Sequence, residues 1–184
     1  MTRSEVQVPR RPPFRRCFFV WHLYIKIDYY IDDMHEKYFL QAAETAKRAT
    51  CHRAHCGSVI VSADGMVVGR GFNAPPLGDE SQRTCDNEYH SDKKPKSDKT
   101  CCVHAEWNAI LNALRDYPDK VAGATLYFMR IDDNGQFTQA GDPYCTVCSR
   151  LALQSGIKTF GLWNSGPQMY DTGLYNLKSY EYFA

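Results

Sequence analysis

Cys102-Val-His104-Ala-Glu106-Trp-Asn-Ala109 is the stretch on which the reading of this chain turns. Ile110, Leu111 and Leu114 continue it at helical spacing, which predicts a helix from Val103 to about Tyr117 with His104 and Glu106 in its first turn. Further along, Pro143-Tyr-Cys145-Thr-Val-Cys148 opens another helical segment. The spacing of Cys145 and Cys148 puts both thiols on one side of a first turn. Two thiolates and an imidazole form a three-ligand zinc set whose fourth position is left for water, the pattern of a catalytic rather than a structural site. Helix N-termini carry the positive end of the dipole and favour thiolate over thiol. Glu106, two residues beyond His104, is placed to move a proton without itself being a ligand. Taken singly the clusters decide little: Cys-x-x-Cys also serves zinc ribbons and redox motifs, and His-x-Glu recurs on solvated helix faces. A four-ligand structural zinc would leave Glu106 without a role.

Working outward, Phe39, Ala42, Ala43 and Ala46 predict an amphipathic helix from His35 to about Thr50. Ser58–Ser62 and Met66–Val68 read as a β-hairpin turning at Asp64-Gly65. Residues 74–100, with prolines, aspartates and Lys93, Lys94, Lys96 and Lys99, read as a long loop. Ala124–Arg130 is a strand with a hairpin return at Gln136–Thr138, Cys145–Gln154 a helix stopped near Gly156, and Ile157–Trp163 a further strand. The aromatic tail from Gly166 is assigned to packing or assembly. Helices alternating with strands imply an α/β domain with a sheet covered by helices.

Composition narrows the function. The chain has 184 residues, with 22 Lys+Arg against 21 Asp+Glu and a net charge of +1, so nothing global attracts nucleic acid or anionic membrane. No apolar run approaches the ~18 residues of a membrane span. Residues 1–33, rich in Pro and Arg and then in aromatics, show no persistent period. They read as an N-terminal extension, either disordered or a gene-model artefact with Met34 as the start. The apolar run Cys17–Tyr24 is short, interrupted by His22 and lacks a small-residue cleavage site, which argues against a secretory signal. The eight cysteines are therefore expected in a reducing cytoplasm, binding metal rather than pairing as disulfides.

The order His104-x-Glu106 followed by Pro143-x-Cys145-x-x-Cys148 resembles the signature of zinc-dependent nucleobase deaminases. From about His35 to Trp163 the chain resembles the cytidine and deoxycytidylate deaminase superfamily, and within it the deoxycytidylate (dCMP) deaminases. The further likenesses are Gly57-Ser-Val-Ile-Val61, Gly71-Phe-Asn73-Ala74, His104–Ile110 and Ser155-Gly-Ile-Lys158. The resemblance implies a three-layer α/β/α sandwich with a central mixed sheet, residues 34–184 forming the deaminase domain. It implies one catalytic zinc on His104, Cys145 and Cys148, with Glu106 as proton shuttle. Asn73 and the backbone at Ala105 are the implied substrate contacts. By the same likeness Cys51, Cys85, His90 and Cys101, with Cys102 as the other choice for the last position, are candidates for a second, structural zinc. His52, His55 and Cys56 are assigned to the connection between first helix and first strand, with His52 or His55 as an alternative to one of these ligands.

The implied reaction is hydrolysis of dCMP to dUMP and ammonia, with a homo-oligomeric, cytoplasmic enzyme acting on a small nucleotide. Arg70, Arg130 and the loop lysines are the cations available for a phosphate. Two departures stand out: Tyr144 separates Pro143 from the first zinc cysteine, and 132–142 lengthens the connection into the zinc helix. Rival readings are a nucleoside or free-base deaminase, an enzyme acting on tRNA or single-stranded DNA, which would want a basic groove with stacking aromatics, and a zinc-stabilised binding module without chemistry.

Overall fold

The computed structural model describes residues 34–85 and 100–182. The extension 1–33, the lysines of the long loop and His90 lie outside the described residues. Helix α1 spans 34–46. It is followed by strands β1 (His55–Val61) and β2 (Val67–Phe72), helix α2 (Ala105–Asp116), strands β3 (Thr125–Ile131) and β4 (Phe137–Thr138), helix α3 (Thr146–Gln154), strands β5 (Thr159–Trp163) and β6 (Pro167–Asp171), and helix α4 (Thr172–Glu181). The strands form one sheet in the order β2-β1-β3-β5-β6, with β4 pairing the end of β3. β3 and β5 run parallel and every other pairing is antiparallel, so the sheet is mixed.

Helix α1 covers one face and α2 and α3, with α4 packed on α3, cover the other, giving the expected three layers. On the α1 side, Phe39, Ala42, Ala43 and Ala46 pack on Val59, Tyr127 and Met129. On the other side Ile110, Ala113, Leu126, Phe160 and Leu162 are buried together. Each large apolar side chain removed from water in this way contributes ~1.5–3 kcal/mol.

Glycines set how closely the helices approach. A Cβ at Gly57 would collide with the Ala42 carbonyl and the backbone of Ala46, so Gly57 faces α1. A Cβ at Gly71 would collide with the Ala105 carbonyl and the Ala109 nitrogen, so Gly71 faces α2. This contact lays the first turn of α2, which carries Glu106, directly against the sheet.

The differences from the sequence reading lie at element ends and in the tail. Helix α1 ends at residue 46, where Arg48 and Ala49 donate back to Thr45 and Ala46 and turn the chain. β1 begins at His55 because His55 and Cys56 already pair with Ile131 and Arg130. The tail forms a regular strand and helix, β6 and α4. Asp171 caps α4, its carboxylate accepting from the N–H groups of Gly173 and Leu174.

Candidate metal centre

Two helix starts converge. His104 sits at the N-cap position of α2 and Cys145 at that of α3, where the Cys145 sulfur accepts the N–H of Cys148 at 3.3 Å. The Nδ1 atom of His104 lies 3.1 Å from Cys148 Sγ and 3.4 Å from Cys145 Sγ, and the two sulfurs are 2.7 Å apart. All three ligand atoms fall within 4.8 Å of one another. One imidazole nitrogen and two sulfurs converging from separate helix starts fit the borderline-soft, tetrahedral preference of zinc.

The electrostatics are those of a site that binds a cation. Hydrogen bonding to Cys148 and then to His104 brings the Cys145 thiol down to about 5. Cys148 moves the other way, held protonated by burial and by its neighbour's negative charge. His104 is raised, chiefly by its hydrogen bond to Cys145. Glu106 is 6% exposed. Burial, and then the Cys145 charge, push its carboxyl up to about 7. A carboxyl poised there takes and returns protons near neutrality.

Asn73 is buried beside this site with both ends of its amide in use. Its Oδ1 accepts from Cys56 N at 2.8 Å and its Nδ2 donates to the Ala54 carbonyl at 2.7 Å, bracing the α1–β1 connection. Ala105 lies in the first turn of α2, buried. Among the second-metal candidates, Cys85 and Cys101 sulfurs are 2.7 Å apart, and Cys102 bonds to the thiols of both Cys51 and Cys101. These four sulfurs run as a chain, and among the described residues only His104, Cys145 and Cys148 make a compact group.

Two residues entered without a sequence signal. Cys56, assigned from sequence to a connection, is in β1, and the Glu106 charge reaches it. Tyr175 of α4, one of several tail tyrosines, is buried, stacked on Phe160 with centroids 3.9 Å apart, and takes a backbone hydrogen bond from Tyr144. Burial and the charges of Glu106 and both thiols raise its hydroxyl pKa. Ser149 next to Cys148 bonds to Asn176 and Ser179, so α4 braces the turn that bears the two thiols.

The sequence model of the cytidine and deoxycytidylate deaminase zinc-binding region matches residues 32–162. Over 130 residues the chain is 34% identical to deoxycytidylate deaminase of Mycobacterium phage D29, covering 67% of this chain and 89% of the phage protein. It is 29% identical to human deoxycytidylate deaminase over 128 residues, covering 66% of this chain and 60% of the human protein. Among solved structures, cytidine deaminase from Burkholderia pseudomallei superposes with a TM-score of 0.52 at 15% identity, over 77% of this chain and 94% of that one, a likeness of fold.

Proposed function

This chain belongs to the cytidine and deoxycytidylate deaminase family, and from that premise we propose that it hydrolyses dCMP to dUMP and ammonia. The observation that carries the reading is the buried Glu106 carboxyl two residues from His104 and against the Cys145–Cys148 pair. The relatives that match in sequence, from phage to human, are deoxycytidylate deaminases, which supports the nucleotide over the free nucleoside.

His104, Cys145 and Cys148 would hold the zinc. Bound there, zinc supplies a water made nucleophilic at neutral pH. Glu106 takes the proton that this water loses and passes it to ring N3, which makes C4 electrophilic. Water oxygen bonds to C4, Glu106 then takes the remaining proton of the new C4 hydroxyl and delivers it to the amine, and the C4–N bond breaks, so that ammonia departs and a carbonyl remains. Its buried setting suits it to hold that proton between the steps. Asn73 keeps the α1–β1 connection at the pocket wall, and the backbone at Ala105 faces the base edge in this reading.

The proposal includes a second zinc on Cys51, Cys85, His90 and Cys101, with Cys102 as the other choice for the last position, together with a homo-oligomer and a cytoplasmic setting. Exposed Leu111 and Leu114 on α2, and Leu174 and Leu177 on α4, supply apolar surface for assembly. No helix among the described residues is long and apolar enough to cross a membrane.

The test is ammonia release from dCMP, CMP and deoxycytidine by zinc-loaded protein. Preference for dCMP supports the reading, whereas no turnover of any of the three, or preference for deoxycytidine, contradicts it.

A further inference from the structure

The turn that bears the two thiols departs by one residue from the deaminase signature, in which proline stands directly before the first cysteine. Here Tyr144 stands between Pro143 and Cys145. The exchange matters to the backbone. Proline has no N–H, whereas tyrosine brings one, immediately ahead of the cysteine that caps α3. A donor that faces the protein interior needs an acceptor there.

The acceptor comes from the far end of the chain. Tyr175 of α4 is 3% exposed, and its hydroxyl receives the Tyr144 N–H. Its ring is held by two others. It stacks on Phe160 of β5, with centroids 3.9 Å apart and planes 18° apart, and Tyr170 of β6 meets it edge-on at 5.8 Å. The hydroxyl is therefore delivered to a fixed point, close enough to the metal centre for the charges of Glu106, Cys148 and Cys145 to act on it. On the outer side the Tyr144 ring, 54% exposed, meets Tyr182 edge-on with centroids 5.1 Å apart.

Helix α4 also holds the other flank of the turn. Ser149, directly after Cys148, donates to Asn176 Oδ1 at 3.0 Å and lies 3.1 Å from the Ser179 hydroxyl. The residue before Cys145 and the residue after Cys148 are thus both tied to α4, with the thiol pair between the two ties. Ser149 is fixed a second time by the ladder of α3, its N–H donating to the Cys145 carbonyl at 3.0 Å. Tyr144 precedes that ladder, so its backbone depends on partners from outside the helix.

We infer that Tyr175 is the positioning residue of the thiol turn: by accepting the Tyr144 N–H, its hydroxyl sets the place of Cys145 against His104 and Glu106. Its predicted effect on turnover rests on the dCMP reading above, and its predicted effect on metal binding does not. Tyr144 and Tyr175 form one unit, a departure from the proline order and the partner that accommodates it. Removing the hydroxyl strands the donor. Once a proline has removed the donor, the hydroxyl has nothing left to hold, so the effects of the two changes do not add.

The experiment compares the native protein with Tyr175→Phe, Tyr144→Pro and the double variant. It reads zinc affinity by chelator competition, and kcat and KM for dCMP at equal zinc content. Tyr175→Phe keeps the stacked ring and loses only the hydroxyl. It should weaken zinc binding and lower kcat, each roughly 5- to 100-fold, the range for a buried donor left unpaired. KM should stay within about threefold of the native value, the split expected of a residue that does not touch the substrate. In the Tyr144→Pro background the same change should alter zinc affinity and kcat by less than about twofold. Equal losses in both backgrounds would make Tyr175 a packing residue and overturn the inference, as would native zinc affinity and kcat in Tyr175→Phe. If Tyr144→Pro does not fold, as circular dichroism would show, amide hydrogen exchange at Tyr144 decides. It should be protected in the native protein and at least about 10-fold faster in Tyr175→Phe, and equal rates overturn the inference. A native protein that binds zinc without turning over dCMP overturns the dCMP reading instead, and zinc affinity and amide exchange then decide this assignment by the same criteria.

Discussion

The sulfur atoms of Cys145 and Cys148 lie 2.7 Å apart at the start of α3, one drawn toward thiolate and the other held as thiol. Without metal the pair shares a proton, and His104, also raised, is the nearest further carrier. A metal that takes all three as ligands must displace those protons.

Zinc binding to metal-free protein at pH 7 should therefore release about one to two protons per ion bound at this centre. Titration in weak buffer with a pH indicator measures this. Cys148→Ser should lower the release and weaken the binding together. Release of no proton by the native protein would contradict the shared-proton picture.

Glu106 gives a pH signature in the metal-free protein. Its carboxyl is raised in the fold to about 7 from an ordinary value of 4.5, mainly by burial. Between those values the unfolded chain has released the proton while the folded chain retains it, so folding stability falls as pH rises through the window. Glu106→Gln removes this dependence. Relative to the native sequence it should gain on the order of 3 kcal/mol between pH 4.5 and 7. Denaturant unfolding at several pH values checks it, and parallel stability profiles would contradict it.

The close seat of α2 depends on Gly71. A methyl group there meets the Ala105 carbonyl and the Ala109 nitrogen, backbone atoms that yield only if the helix start moves. Gly71→Ala should cost roughly 1–3 kcal/mol, the usual range for overpacking, and should lower turnover more than its effect on folding explains, because Glu106 and His104 move with the turn. Thermal unfolding and kcat measured on the same preparation separate the two. Native-like turnover would show that the close approach is not needed.

Metal content tests the proposed second site. Fully loaded protein should carry two zinc ions per chain by elemental analysis, and Cys101→Ser should carry one while keeping the deaminase centre. One ion per native chain would leave Cys51, Cys85, Cys101 and Cys102 as packing thiols.

How much of this was legible in the sequence follows from what holds each part together. Of the residues that marked α2, Ile110 is buried while Leu111 and Leu114 are exposed, whereas α1 shows in the periodicity because its buried face is apolar, as with Phe39, Ala42 and Ala46. Helix α4 does not, because the residues it buries are Thr172, Tyr175 and Ser179 and part of its packing is hydrogen bonding among Ser149, Asn176 and Ser179. The metal ligands were legible because each sits at the start of a predicted helix, with Glu106 two positions from one of them. Cys56 and Tyr175 were not, since sheet register brings one to Glu106 and the C-terminal helix brings the other to Tyr144. Asn73 was read as a substrate contact, and its amide is seen bracing Ala54 and Cys56.

The central claim is that Glu106 moves the protons of a zinc-dependent dCMP deamination. It is tested most directly by ammonia release from dCMP with native and Glu106→Gln protein, each brought to the same measured zinc content. The account predicts steady release by the native protein and a loss of at least about 10²-fold in Glu106→Gln at unchanged zinc content. A Glu106→Gln protein as active as the native one, or a zinc-loaded native protein that releases no ammonia from dCMP, would contradict it.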